Sequence, residues 1–157
     1  MGLNTFEDVE QIKQVKARYF RLMDQKRWDE WREVFTEDVT AVYHGVPGDS
    51  PSDTLSQLHC HGRADLVGTI SGFLSKGLSI HHGHMPEIEV TSPTTARGIW
   101  AMVDYLRMPQ FILKGYGHYE EDYVKENGKW KIKTILLTRL HCEVTWAASP
   151  SQTYTLQ

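Results

Sequence analysis

Cysteine is scarce in this chain: two of 157 residues, Cys60 and Cys142. One disulfide is arithmetically open to them. The opening Met1-Gly2-Leu3-Asn4-Thr5-Phe6-Glu7 lacks the basic-then-apolar order of a secretion signal, so two reduced thiols in a cytoplasmic protein are expected. Phe6 stands where an N-myristoylation signal carries Ser or Thr, which sets that anchor aside. No apolar run approaches the roughly 20 residues needed to span a bilayer. Neither sign of charge dominates, with 17 Lys and Arg against 20 Asp and Glu and a net charge of -3. Neither nucleic acid nor a membrane surface is therefore an expected partner. Also missing are a glycine-rich phosphate loop, a Ser or Cys nucleophile motif, internal repeats and low-complexity linkers.

What is present is a globular composition, 40% hydrophobic and 24% charged. The length suits a single domain over residues 1–157, with a core from about 6 to 146. Val9, Ile12, Val15 or Lys16, Tyr19 and Leu22 or Met23 recur at three- and four-residue steps, predicting an amphipathic helix over 6–23. A short helix follows with Trp28, Trp31, Val34 and Phe35 on one face, ended by Thr36-Glu37-Asp38. Residues 39–43 read as a strand, and 44–53, rich in turn formers, as a loop or lid. Helical spacing returns over 63–75 with Leu66, Val67, Ile70, Phe73 and Leu74. Beyond Ile80 the chain is β-branched and aromatic, predicting strands at 87–90, 95–107, 117–125 and 130–146. Ser92-Pro93 and the hairpin signal Asn127-Gly128 mark turns between them. Helices first and an antiparallel meander after define the α+β class. Long strands with helices on one face curl into a half-closed sheet, leaving a pocket on the concave side. The outer face, rich in Ile, Leu and Val, predicts a homo-oligomer, a dimer or trimer.

Three histidines fall within four residues at His81, His82 and His84. Strand alternation sets His82 and His84 on one face and His81 on the other. His59 and His61 form a second His-x-His around Cys60. Such pairs can hold a metal, but no carboxylate or cysteine stands at ligand spacing to complete a site, so no metal is expected. His81 on its own face can meet Asp24 and Asp104 inside the pocket. A carboxylate-held imidazole is what a general base needs, and a core histidine bonded to backbone is the competing reading. Asp104 alternates with Trp100, Met102 and Leu106, where a carboxylate is unfavourable unless paired. It is either a structural ion pair with an arginine or a pocket acid beside the histidine. Asp24 closes the first helix at the end where the helix dipole disfavours an acid, which points to a tie with a cation or histidine. Tyr19 is a core residue or a pocket donor. Arg139 alternates with Ile135, Leu137 and His141, opposite Trp130, Ile132, Leu136 and Leu140. It binds an anionic substrate or pairs with Glu143 or Glu121. Tyr43, Trp100, Met102 and His118 complete the candidate substrate-binding lining.

The order of parts resembles the SnoaL-like branch of the nuclear transport factor 2-like superfamily. The residues that carry the likeness are Arg18-Tyr19-Phe20-Arg21-Leu22-Met23-Asp24, Trp28-Asp29-Glu30-Trp31, and His81-His82-Gly83-His84-Met85-Pro86-Glu87-Ile88. Thr94-Thr95-Ala96-Arg97-Gly98-Ile99-Trp100 and Gly128-Lys129-Trp130-Lys131-Ile132 follow at the expected separations. The likeness looks closest to bile-acid 7α-dehydratases and extends more distantly to scytalone dehydratase. It implies a cone-shaped curved sheet, antiparallel with a mixed element, wrapped around N-terminal helices. It further implies a cofactor-independent dehydratase for a hydrophobic polycyclic, steroid-like or polyketide hydroxy-carbonyl compound, of the kind met in secondary metabolism. Tyr19, Asp24, His81 and Asp104 fall on the family's catalytic positions, and Arg139 on that of its last-strand arginine. Two departures stand out. Met23 replaces the tyrosine that precedes the helix-end aspartate in scytalone dehydratase, and its second catalytic histidine has no counterpart on strand 98–106. An isomerase or cyclase of an enolisable intermediate, or a non-catalytic ligand binder, are the alternatives within the same superfamily.

Overall fold

The computed structural model describes residues 3–147 and 152–155. Its first element, α1 (Leu3–Asp24), buries Ile12, Val15, Tyr19, Leu22 and Met23 along one stripe. The helix stops in a Schellman turn. Lys26 N–H donates to the Met23 carbonyl at 3.1 Å and Arg27 N–H to the Leu22 carbonyl at 2.9 Å, with Lys26 at φ 60°. That stop leaves Asp24 as the last helical residue. A single turn, α2 (Trp28–Trp31), and a 3-10 turn (Arg32–Val34) follow. The Trp31 indole N–H donates to the Tyr19 carbonyl at 2.9 Å and ties them back to α1.

The remaining elements are β1 (Phe35–Val46), β2 (Ser56–His61), α3 (Arg63–Leu74), β3 (Leu78–Ser92), β4 (Thr95–Arg107), β5 (Phe111–Glu126), β6 (Lys129–Trp146) and β7 (Gln152–Thr155). They form one sheet in the order β2-β1-β6-β5-β4-β3, with β7 added to β6. The β1–β6 pair is parallel and every other pair antiparallel, so the sheet is mixed and has open edges at β2 and β3. Long twisted strands coil, and the inward side chains of this sheet enclose α1 and α3. The α+β class and the helices-first order agree with the sequence reading. Asn127 (φ 50°) and Gly128 (φ 76°) make the hairpin between β5 and β6, as the Asn-Gly signal predicts. Cys60 and Cys142 are both buried free thiols.

Four local expectations need correction. Thr36-Glu37-Asp38 does not end a helix but opens β1, because Phe35 already pairs with Ile132 and sheet pairing overrides local propensity. Strand β2 escaped the pattern reading. It is an edge strand whose sequence Ser56-Gln57-Leu58-His59-Cys60-His61 buries only Cys60 fully, so almost no apolar alternation is there to see. The predicted loop is correspondingly shorter, because His44 to Val46 still belong to β1. On β6 strict alternation fails at two bulges, where Lys133 and Leu140 are skipped by the β5 register. Trp130 and Ile132 therefore share the buried face with Ile135, Leu137 and Arg139 instead of opposing them.

One charge lies on the apolar stripe of α1. Lys16 pairs with Glu121 of β5, neither side chain having any accessible surface. The ammonium sits 3.5 Å from the Tyr119 ring centroid and 4.0 Å from that of Tyr19. Burial draws Lys16 down to about 8 although Glu121 opposes it. Removing one partner strands the other: Glu121→Leu is expected to lower stability by about 3–5 kcal/mol in urea unfolding. The double variant K16M/E121L should recover most of that loss.

Candidate active site

The site forms where the end of α1 meets the concave face of the sheet. His81 on β3 and Asp104 on β4 are register partners with both side chains turned inward. Asp24 reaches across from α1 with two grips on His81. Its Oδ2 accepts the His81 backbone N–H at 2.7 Å, and its Oδ1 lies 2.7 Å from the ring Nδ1. Strand β3 is a sheet edge, and this backbone bond satisfies a donor left over by the β4 ladder. Ser79 Oγ also donates to Asp24 Oδ1, at 2.9 Å. With Nδ1–H donating to the carboxylate, Nε2 is left as the unprotonated nitrogen of the neutral ring. Phe20 stacks on the imidazole, with centroids 6.2 Å apart and planes at 13°.

Arg139 holds Asp104 through a bidentate pair, both bonds 2.7 Å, and its Nε–H donates to the His44 carbonyl at 3.0 Å. The guanidinium crosses over β5 to reach β4. Gly115 makes that possible, since a Cβ there would overlap both the guanidinium and the Asp104 carboxylate. Gly45, at φ 71°, likewise leaves room for the Arg139 side chain. Burial alone would raise the Asp104 carboxyl, but Arg139 and then His81 hold it below its ordinary 3.8. Of the two sequence readings of Asp104, the ion pair is present, and it also lines the cavity. Arg139 pairs with Asp104 rather than with Glu121 or Glu143.

Three tyrosines complete the polar side. Tyr19 Oη and Tyr43 Oη lie 3.1 Å apart, and Tyr119 packs edge-on against Tyr19 at 5.8 Å. Burial pushes all three phenols up, so each remains a hydrogen-bond donor. These groups face a cavity of about 290 Å³. Its other walls are mostly apolar, among them Met23, Leu58, Ile70, Phe73, Leu106 and Leu113. Val46 at the end of β1, with Pro47 and Asp49 of the β1–β2 loop, borders it.

The structure thus brings together His81, Asp24, Tyr19, Asp104, Arg139 and Tyr43. Asp24 holds His81 from just behind the cavity lining. Trp100, Met102 and His118 do not line the cavity. Trp100 points inward but farther along β4, where its indole N–H donates to Tyr123 Oη at 2.9 Å. Met102 is packed in the core, and His118 alternates to the outer face because its neighbour Tyr119 points in. His82 and His84 are exposed, on the face opposite His81. Tyr119 and Ser79 were missed. Alternation on β5 offered a signal for Tyr119, whereas nothing local marks a serine whose partner is 55 residues away.

The fold is of the nuclear transport factor 2-like kind, a curved α+β sheet with a cavity under its helices. More narrowly, the chain belongs to the SnoaL-like family, whose domain model matches residues 4–135. It is similar to probable cyclase FGR4 of Gibberella zeae, 22% identical over 134 residues, covering 83% of this chain and 89% of that protein. Among solved structures it is similar to a scytalone dehydratase-like protein of Novosphingobium aromaticivorans DSM 12444. That match has a TM-score of 0.74 and 20% identity, covering 100% of this chain and 94% of the other. A type 2 hexachlorocyclohexane dehydrochlorinase, LinA, superimposes with a TM-score of 0.75 at 14% identity, covering 94% and 93%. At these identities the structural likeness establishes the fold.

Asp104→Asn would leave Arg139 buried without its counter-charge, and a loss of about 3–5 kcal/mol is expected. Folding lowers the Asp104 carboxyl, so its stabilisation is complete above 3.8 and is lost as pH falls through the lower folded value. The stability gap between native protein and D104N, measured by urea unfolding across pH, should therefore narrow in acid.

Proposed function

We propose that the protein is a cofactor-independent dehydratase that eliminates water from a neutral, hydrophobic hydroxy-carbonyl compound. The observation that carries this reading is the Asp24–His81 dyad set against an otherwise largely apolar cavity. In this reading His81 Nε2 removes the proton on the carbon next to the carbonyl. Asp24 keeps the ring in the required tautomer and stabilises the imidazolium that forms. Electrons of the broken C–H bond pass to the carbonyl oxygen, where the tyrosine donors, Tyr19 foremost, offset the developing charge. As the enolate collapses the C–O bond breaks, and the imidazolium returns its proton to the departing hydroxide, giving water and the regenerated base.

Asp104 serves differently from a proton donor here. Both its oxygens are occupied by Arg139 and its carboxyl is held low, so its part is to fix Arg139 and add negative field beside the imidazolium. A volume near 290 Å³ falls just below the usual span of ligand pockets, about 300 to 1,000 Å³. It favours a compact ring system over a fully enclosed steroid. A second reading, cyclisation or isomerisation by the same base, draws support from the relative named as a probable cyclase.

The test is turnover of a panel of cyclic hydroxy-ketones followed by product mass. Loss of water marks dehydration and an unchanged mass marks isomerisation or cyclisation. His81→Gln is expected to lower kcat by about 10²–10⁴-fold with an unaltered circular dichroism spectrum. Near-native turnover in that variant would sink the proposal.

A further inference from the structure

We propose that Lys26 and Ser79 are positioning residues that set how tightly Asp24 holds the His81 imidazole. This rests on the reading of His81 as the base. The support is a continuous hydrogen-bonded chain. Lys26 Nζ donates to Ser79 Oγ at 2.6 Å, and Ser79 Oγ donates to Asp24 Oδ1 at 2.9 Å. That same Oδ1 receives His81 Nδ1 at 2.7 Å. Two donors therefore share one carboxylate oxygen, and strengthening one weakens the other. An ammonium bonded to the serine oxygen polarises its O–H and draws charge from Oδ1, away from the imidazole.

The backbone gives a second, independent observation. Lys26 occupies φ 60°, a conformation that glycine and asparagine adopt readily and lysine seldom does. Residue 26 thereby turns back across the helix end and delivers its ammonium to Ser79, which is itself buried. Other titratable or charged groups share the space around His81. They are Asp24 and Tyr19 on α1, Tyr43 on β1, Asp104 on β4, Tyr119 on β5 and Arg139 on β6, with Asp49 at the mouth. Of these, Asp24 is the one hydrogen-bonded to the Lys26–Ser79 pair, so changes at Lys26 or Ser79 reach His81 through that carboxylate.

The experiment follows the His81 ring by NMR titration of isotope-labelled protein, with the resonance assigned by its absence in His81→Gln. Lys26→Asn deletes the charge while keeping a residue suited to positive φ. With the Ser79 hydroxyl no longer polarised by the ammonium, Asp24 holds the imidazolium more tightly, and the midpoint is expected to move up by about half a pH unit. Lys26→Arg keeps the charge and should leave the midpoint near its native place. Ser79→Ala should move it in the same direction as Lys26→Asn. The double variant K26N/S79A should move it no further than the larger single change, because both cut one chain. An unmoved midpoint in K26N or S79A, or a double shift equal to the sum of the two, would overturn the inference. The readout needs no substrate. Absence of turnover therefore counts against the dehydratase reading alone, and an unmoved titration counts against the relay alone.

Discussion

The carboxylate of Asp24 is the contact on which the site depends. It is the last residue of α1, and its two oxygens grip both the backbone and the ring of His81 on an edge strand. One side chain thus docks helix to sheet, satisfies an edge-strand donor and fixes the imidazole tautomer. The Schellman turn at Lys26 determines where α1 stops, and hence where that carboxylate stands. Were the helix one residue longer, the dyad would lose its geometry without any change in the residues that compose it.

Two further charge pairs are buried in the interior. The Lys16 ammonium, paired with Glu121, lies against the Tyr19 and Tyr119 rings, and Asp104, the register partner of His81, is paired with Arg139. Buried pairs are weak contributors to stability when compared with apolar replacements of similar shape. Their placement here surrounds the tyrosine donors and the histidine with fixed charge in a water-poor space, where electrostatic effects are strong. Glycines at 45 and 115 are the space requirement for one of those pairs rather than turn residues.

Much of this was legible in the sequence because it is written in periodicity. The α1 stripe, the inward face of Trp100, Met102, Asp104 and Leu106, and the separation of His81 from His82 and His84 all follow from repeats of 3.6 or 2. Reading broke down where pairing rather than pattern decides. The β6 bulges at Lys133 and Leu140 reset the alternation, and the polar edge strand β2 carries no apolar signal. Alternation assigned a face, but not a depth, to Trp100 and Met102. They point inward as predicted yet lie away from the cavity. The Asp104–Arg139 partnership spans 35 residues and depends on a glycine in the strand between them, which no local spacing reveals.

The central claim is that Asp24 fixes the neutral His81 ring with its proton on Nδ1 and its lone pair on Nε2. Nitrogen-15 NMR of the His81 ring, recorded at a pH where that ring is neutral, tests this most directly. The account predicts the Nδ1–H tautomer in the native protein and its loss in Asp24→Asn. A native ring carrying its proton on Nε2 would contradict it.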